Sequence, residues 1–524
     1  MNTSRLKTFT SQLKKSGILN FLNDLPENAE IYLVGGTVRD IIIGRQNPGD
    51  LDLVVRNVEI KLLEKILKKH GKVNFVGKNF GIFKFQPKTL VPSSVLRPPS
   101  SESIDIALPR TEHSFGTGAY KDFKVTFNHR LPIKKDLSRR DFTINAIAYQ
   151  LSTINNQQSQ VIDPCNGLRD LQRKLIRTVN NPRTRFKEDY SRILRAVRIA
   201  CELGFKIEKN TLQAIKKQIP HINDLRKENK ESKKFIRRSP EQRRMGEGGR
   251  LVPYEIIASE ILKSFQASPV RTLELLDETG ALRELMPELL TMKNCPQPEE
   301  SHSEGDVWTH AKLALSLINS PRYKKEFGAN DNDVELILAA LFHDIGKPAT
   351  INIVNNKIQF HGHSQAGDRI IKKICTRLKL QSVPGFNLKC QNLVHLVSKH
   401  MLRLFERVNQ LKDSTVAKYF LIDSKTADKL LKLFWLDSMA SIPNKGKPDL
   451  SGFKELKQRV TALTKQSKIT KEKPLLTGNE IMKKFKLKPG PKIGQLLATL
   501  HEAYLSDVIK TKSDAITFIK RELK

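Results

Sequence analysis

The sequence predicts a multidomain chain, with an N-terminal α+β domain built on a small mixed sheet and an all-α remainder. Three observations lead there. Residues 31–160 alternate short β-rich runs with helical stretches, whereas from Asp163 onward the apolar spacing is almost entirely helical. The length of 524 residues also exceeds the roughly 100–200 of one ordinary domain.

The runs IYLVGG, DLDLVV, GKVNFVG, GIFKF and SIDIAL are short, rich in Val, Ile and Phe, and bounded by Gly, Asn or Pro. Such runs read as strands. Between the second and third, VEIKLLEKILKKH has apolar residues at helical spacing. Two segments read as insertions. Residues 87–103 are rich in Pro and Ser and separate GIFKF from SIDIAL. Residues 226–250 carry ten basic and four acidic residues and almost nothing apolar. A segment of that kind cannot bury enough surface to offset its ordering entropy. It reads as a mobile loop, with RNA contact as the alternative.

Lys and Arg number 91 against 55 Asp and Glu, a formal charge of +36. Nucleic acid is the partner such a charge suggests, because neutralising phosphates supplies affinity without sequence preference. A merely basic soluble protein is the bland alternative. With 39% hydrophobic residues, a wholly disordered chain is excluded. No apolar run approaches the ~18 residues of a membrane span, and the N-terminus lacks a signal-type stretch. No membrane partner is expected. Five cysteines, odd in number, scattered and without a CxxC, suggest neither a disulfide framework nor a zinc finger. A reducing compartment, the cytoplasm, is the expected location.

The densest chemical signal is LVGGTVRDIIIGRQNPGDLDLVV, from residue 33. Gly35 and Gly36 follow a strand and precede a helix bearing Arg39. Glycines there let backbone N–H groups approach a phosphate, and Arg39 can add a bidentate contact. Asp50 and Asp52 stand two apart in a strand and so share a face, opposite Leu51, Leu53 and Val55. Paired carboxylates beside a phosphate-binding turn suit two Mg²⁺ ions, which would activate a hydroxyl and stabilise leaving pyrophosphate. Asp105, in IDIAL, is either a third ligand or a structural surface residue.

These motifs, followed by DLSRRDFTINAIAY at 136–149 and DPCNGLRDLQRKLIRTVNNPRTRFKEDYSRILRAVR at 163–198, resemble the class II tRNA nucleotidyltransferases and bacterial poly(A) polymerases. Both belong to the DNA polymerase β nucleotidyltransferase superfamily. The resemblance implies template-independent nucleotide addition to RNA, with Mg²⁺ as cofactor and CTP, ATP and tRNA as partners. It assigns Arg140 to the nucleotide, its sugar or phosphates; Arg139, beside Asp141, reads as a member of a charge pair. It also implies that Asp189 and Arg192 read the incoming base, with Arg195 and Arg198 contacting the nucleotide. Spaced by three, these four residues are expected along one helix face. A carboxylate accepts from cytosine N4 or adenine N6 while a guanidinium donates to the ring acceptors; U and G present a carbonyl instead.

FVGKNFGIFKF at 75–85 resembles the CCA-adding pattern rather than the poly(A) polymerase one. The glycine-bearing segment between IDIAL and RRDF resembles the flexible loop used in switching from C to A. Full CCA addition is therefore expected, with A-only addition or polyadenylation behind it.

A second constellation follows: His310 in VWTHAKLAL, His343 and Asp344 in AALFHDIGKPA, His363 in FHGHSQAGD, His400 in LVSKHM and Asp437 in LFWLDSMAS. It resembles the HD phosphohydrolases, with His361 as an alternative ligand. Imidazoles with carboxylates suit divalent transition metals or Mg²⁺, and a bound metal would generate hydroxide. An idle scaffold domain is the alternative. The tail, with Thr477-Gly-Asn and Pro489-Gly-Pro each leading into a helix and Lys486, Lys488 and Lys492 around the second, resembles the tRNA-binding end of HD-bearing CCA-adding enzymes. Helix N-termini of this kind can hold phosphate.

The expected division is a nucleotidyltransferase head at 1–160, a base-reading helical neck at 161–225, the insertion at 226–250, a helical body at 251–300, an HD-type domain at 301–445 and a tRNA-binding tail at 446–524. The competing reading of another class is an HD-type phosphohydrolase whose head only recognises RNA.

Overall fold

The computed structural model describes residues 4–45, 51–76, 81–88, 103–120, 122–151, 159–225, 249–328, 331–400, 413–421, 423–469, 475–505 and 508–523. Most of both predicted insertions, and Asp50, lie outside the described residues. The chain divides into two compact units, Met1–Leu285 and Met286–Lys524.

The N-terminal unit is built on a seven-stranded mixed sheet. Its strands are β1 (Glu30–Val34), β2 (Asp52–Arg56), β3 (Gly71–Val76), β4 (Ile82–Pro87), β5 (Ile104–Ala107), β8 (Ala148–Gln150) and β9 (Val161–Ile162), in the order β3-β4-β5-β2-β1-β8-β9. All neighbours are antiparallel except β2 and β5, which run parallel. Val, Ile and Phe dominate because these side chains pack on a pleated surface, and Leu33, Leu53, Val55, Phe83, Phe85 and Ile106 are buried. The face carrying Asp52 turns apolar one step along the strand. There Val54 packs with Tyr32, Val34, Ile133, Leu137 and Ala146, which fixes the register firmly, since a one-residue slip would exchange the faces.

The α+β head with a mixed sheet is as predicted, with three differences. The edge strand Val161–Ile162 carries the sheet past residue 160, where β-branched residues pair with Ala148 and Tyr149. Within the stretch read as wholly helical, Leu175–Ile176 and Lys206–Ile207 form a short parallel pair. The segment expected as a flexible loop contains an antiparallel hairpin of β6 (Arg110–Ser114) and β7 (Phe123–Phe127), since both runs alternate in the strand period. Its Gly118, at φ 77°, lies so close to the Tyr190 ring that a Cβ would come within 2.0 Å of it.

The C-terminal unit is helical. Helices Val307–Leu317, Val334–Phe342, His363–Leu378, Cys390–Lys399 and Ser424–Ala440 surround a core that includes Leu338, Phe342, Ile371, Leu396 and Phe434. One small hairpin, Asn352–Val354 with Lys357–Gln359, interrupts them. Its two-residue turn, Asn355–Asn356, has φ of 49° and 61°, a conformation asparagine tolerates well. The tail helices Gly478–Phe485, Pro491–Leu505 and Lys512–Glu522 share a core of Leu476, Ile481, Ile493, Leu496, Ala515 and Ile519. Thr477 and Glu480 form a capping box on the first of them. Among the described residues no helix is long and apolar enough to cross a membrane.

Candidate active sites

The first site lies at the start of β2. Asp52 opens that strand, and its register partner on the parallel β5 is Asp105. Neighbouring strands lie about 4.8 Å apart and registered residues share a face, so the two carboxylates stand side by side. Asp105 also pairs with Lys84 on its other neighbour, at 3.0 Å. Both acids line a cavity of about 560 Å³ together with Gly35, Gly36 and Arg39. Gly35 adopts φ 76°, and a Cβ there would meet Arg140 Nη1 at 3.1 Å and Asp52 Oδ2 at 3.3 Å. Conformation and space both call for glycine.

Arg39 is buried. Its Nε donates to Asp40 at 2.8 Å and its Nη1 to Asn145 Oδ1 at 2.7 Å. Arg140 reaches the carbonyl of Asn145 at 3.4 Å and Asp136 at 3.5 Å, and its Nε is buried with no hydrogen-bond partner. Arg139 pairs with Asp136 at 2.8 Å and Glu112 at 2.6 Å, not with Asp141 as the sequence suggested. The reason is the short helix Ile133–Ser138, which puts Asp136 one turn before it. Burial would raise the Asp136 pKa, but Arg139 and Arg140 hold it below the ordinary carboxylate value.

The predicted helical series needs correction at its first member. Asp189 is not on the helix with the arginines. It ends helix Pro182–Glu188 in an extended conformation (φ −164°, ψ 107°), and the next helix is Ser191–Leu203. Its Oδ1 accepts from the Ser191 N–H at 2.9 Å, the usual way a short acidic side chain satisfies a helix start. Burial pushes its pKa up. Arg192 pairs with Glu188 and donates to the Arg185 carbonyl at 3.0 Å, so its ion pair is with Glu188 and not Asp189. Arg195 pairs with Asp141 at 2.6 Å, and Arg198 with Glu260 at 2.6 Å and Glu202 at 2.7 Å. Asp189, Arg192, Arg195 and Arg198 all line the same cavity as Asp52.

The second site lies in the C-terminal unit and gathers six predicted residues. His310 Nε2 is 3.1 Å from both His343 Nε2 and Asp437 Oδ1. Asp344 Oδ2 is 3.3 Å from His343 Nε2, and its Oδ1 is 3.4 Å from His400 Nε2 and 3.9 Å from His363 Nε2. Two ligand groups result, His310–His343–Asp437 and Asp344–His363–His400. The Nδ1 of His343, His363 and His400 each faces a backbone carbonyl three residues earlier, of Ala340, Phe360 and Val397. Donation there directs the Nε2 lone pairs inward, the orientation a metal requires. Asp344 Oδ1, His363 Nε2 and His400 Nε2 are buried with no hydrogen-bond partner. Three buried, orphaned acceptors converging on one point fit a divalent cation. His361 is exposed and bonded to Gln359 at 2.9 Å, outside this cluster.

Sequence reading missed several supporting groups. Glu304 accepts from His310 Nδ1 at 2.8 Å and from the backbone N–H of Ile442 at 2.9 Å. Burial opposes its charge, yet His302, His310 and Ile442 bring its pKa down to about 2. Burial also opposes a charged His310, but Asp437 and Glu304 push its pKa up to about 9. Lys347 Nζ lies 2.7 Å from Asp344 and 2.7 Å from Gln297. Glu304 precedes helix Val307–Leu317 in an irregular segment, where no periodicity flags it; Lys347 stands within HDIGKP, but only the fold sets its ammonium beside Asp344.

Three family models match the chain: the poly(A) polymerase head domain over residues 31–177, the HD domain over 307–429 and tRNA nucleotidyltransferase domain 2 over 436–519. A multifunctional CCA protein of Alkalilimnicola ehrlichii is 31% identical over 392 residues, 74% of this chain and 78% of its own. That of Nitrosococcus oceani is 30% identical over 402 residues, covering 75% and 83%. Among solved structures, the Bacillus stearothermophilus CCA-adding enzyme in complex with CTP superposes with a TM-score of 0.52 at 20% identity, covering 97% of this chain and 96% of that one. At that identity the likeness speaks to fold.

Proposed function

This chain belongs to the CCA-adding tRNA nucleotidyltransferases that carry an HD domain, and on that premise we propose that it builds the 3′-terminal CCA of tRNA from CTP and ATP. The observation that carries the reading is the Asp52–Asp105 pair on adjacent parallel strands, opening into the cavity that also holds Arg140 and Asp189. Asp52 and Asp105, together with Asp50 two positions earlier in the sequence, would hold Mg²⁺. The ion would lower the pKa of the attacking 3′-hydroxyl and neutralise charge on the leaving pyrophosphate. The turn at Gly35–Gly36 offers backbone N–H groups to the triphosphate, and Arg140, whose Nε has no internal partner, donates to the same oxygens or to the sugar. Asp189 and Arg192 present an acceptor and donors to the base edge. Arg195 and Arg198 extend the positive wall that binds the nucleotide, while their acidic partners set their rotamers.

This reading takes the head as far as Ile162, followed by a base-reading neck to 225, the basic insertion, a helical body, the HD-type domain and a tRNA-binding tail from 446; the sheet strand Val161–Ile162 supports the first boundary. The cytoplasm is the compartment where tRNA, CTP and ATP meet. The test is incubation with tRNA lacking its 3′ end, Mg²⁺ and each labelled nucleotide in turn. Incorporation of C and A, but not U or G, is expected. Incorporation of A alone would favour polyadenylation or A-addition, and none at all would favour the reading in which the head only recognises RNA.

The HD residues support a second activity, metal-dependent phosphohydrolysis, because their orphaned acceptors converge. A divalent transition metal bound there would supply hydroxide and polarise a phosphoryl oxygen. The chain's own part is to orient the imidazoles through the Ala340, Phe360 and Val397 carbonyls and Glu304, and to keep Asp344 ionised. Burial resists that charge, but Lys347 and His343 hold its pKa far below the usual range.

A further inference from the structure

Two of the cysteines that are scattered in sequence meet in the C-terminal unit. Cys375 lies in the last turn of helix His363–Leu378, and Cys390 opens helix Cys390–Lys399. Both line an open cavity of about 350 Å³ together with Lys372 and Gln381. The Cys375 and Cys390 thiols hydrogen-bond to one another, and the backbone N–H of Gln381 donates to the Cys390 sulfur. Cys375 is buried, whereas Cys390 is partly exposed.

We propose that Cys375 and Cys390 form a reversible oxidation site, at which a peroxide closes a disulfide between the two helices that carry His363 and His400. In the first step the Cys390 thiolate attacks one oxygen of hydrogen peroxide. The O–O bond breaks, hydroxide leaves, and Cys390 becomes a sulfenic acid. Cys375 then gives up its proton and attacks that sulfur; the S–O bond breaks and the departing hydroxide takes the proton as water. Two thiols lose two electrons and the peroxide becomes two waters.

The surroundings favour this pair over the other cysteines. The hydrogen bond from Cys375 and the N–H of Gln381 lower the Cys390 pKa, against the effect of burial. Its place at a helix N-terminus acts in the same direction. Burial pushes Cys201 up to about 11 and raises Cys165 and Cys295 as well. Disulfides in reducing compartments are usually transient and redox-sensing, and this one would staple the two helices at the ends remote from their histidines. Closing residues 376–389 into a loop should raise the Tm of this unit by roughly 5–10 °C.

The experiment uses the reduced full chain, treated with a modest excess of hydrogen peroxide while folded. Remaining thiols are blocked with iodoacetamide, and the protein is digested without reduction for mass spectrometry. A peptide linking Cys375 to Cys390 is expected, lost on treatment with dithiothreitol, with Cys201 and Cys295 alkylated only after unfolding. Cys375→Ser should leave Cys390 as a sulfenic acid that dimedone traps. Full alkylation of both cysteines after peroxide, or oxidation confined to Cys165, would overturn the proposal. So would a folded Cys375→Ser chain with no dimedone adduct at Cys390.

Discussion

Asp52 and Asp105 are register partners on β2 and β5, the one parallel pair in the seven-stranded sheet. A parallel pair needs a long crossover, so two acids 53 positions apart in sequence face one cavity from adjacent strands. Asp52→Ala should lower CTP incorporation on the order of 10³-fold, because metal charge stabilisation is worth several kcal/mol. Asp105→Ala should cost roughly 10–100-fold, as Lys84 already shares that carboxylate. Single-turnover incorporation and tRNA binding measured together are the check; near-normal incorporation by Asp52→Ala would refute the assignment.

Base choice should follow Asp189. In Asp189→Ala the acceptor opposite the base edge disappears, and UTP and GTP should gain on CTP and ATP by roughly 10–100-fold, the worth of about 1–3 kcal/mol per good bidentate contact. Competition assays with mixed nucleotides measure this. Unchanged selectivity would mean that the base is read elsewhere.

Gly118→Ala should destabilise the N-terminal unit by about 1–3 kcal/mol. It strains a positive φ and overpacks the Tyr190 ring. Tyr190 separates Asp189 from Ser191, so nucleotide addition should fall in the same variant. An unaltered Tm would show that the hairpin does not rest on Tyr190.

Stability should respond to acid through Asp136. Its folded pKa lies below the ordinary 3.8, so the folded state binds its proton less readily than the unfolded state does. The contribution is present above 3.8 and is lost as pH falls through the lower folded value. Asp136→Asn should cost on the order of 2 kcal/mol at neutral pH, less than a fully buried pair because both arginines are partly exposed. Denaturant titrations should show that gap narrowing as pH drops below the ordinary value. A gap independent of pH would separate the effect from ionisation.

The two sites belong to different units and use different ligands, so they should fail independently. Hydrolysis of a 2′,3′-cyclic nucleotide should appear with Ni²⁺, Co²⁺ or Mn²⁺, since imidazole favours these over Mg²⁺. It should vanish in His343→Ala or Asp344→Ala while CTP and ATP addition persists. Loss of addition in a folded HD variant would require reading the two metal sites as coupled.

The residues themselves determined the element types and the chemistry. Alternating Val, Ile and Phe mark β1 to β5, and the order of LVGG, DLD, RRDF and HDIGKP points to the family on its own. Those signals are local: strand period, helix period and short motifs survive without knowing what packs where. Tertiary structure decided what depends on distant neighbours. Whether Asp105 was a surface residue or a partner of Asp52 hinged on strand order, which periodicity cannot express. That Arg195 and Arg198 each take a distant carboxylate follows from packing that brings Asp141 and Glu260 to one helix, whereas Arg192 takes Glu188 one turn away. Asp189 leaves the helix for a local reason that helical spacing does not express: its own side chain takes the backbone N–H of Ser191. Glu304 accepts from the Ile442 N–H, 138 positions on, and Cys375 meets Cys390 only where two helices lie side by side; neither pairing leaves a mark on local spacing.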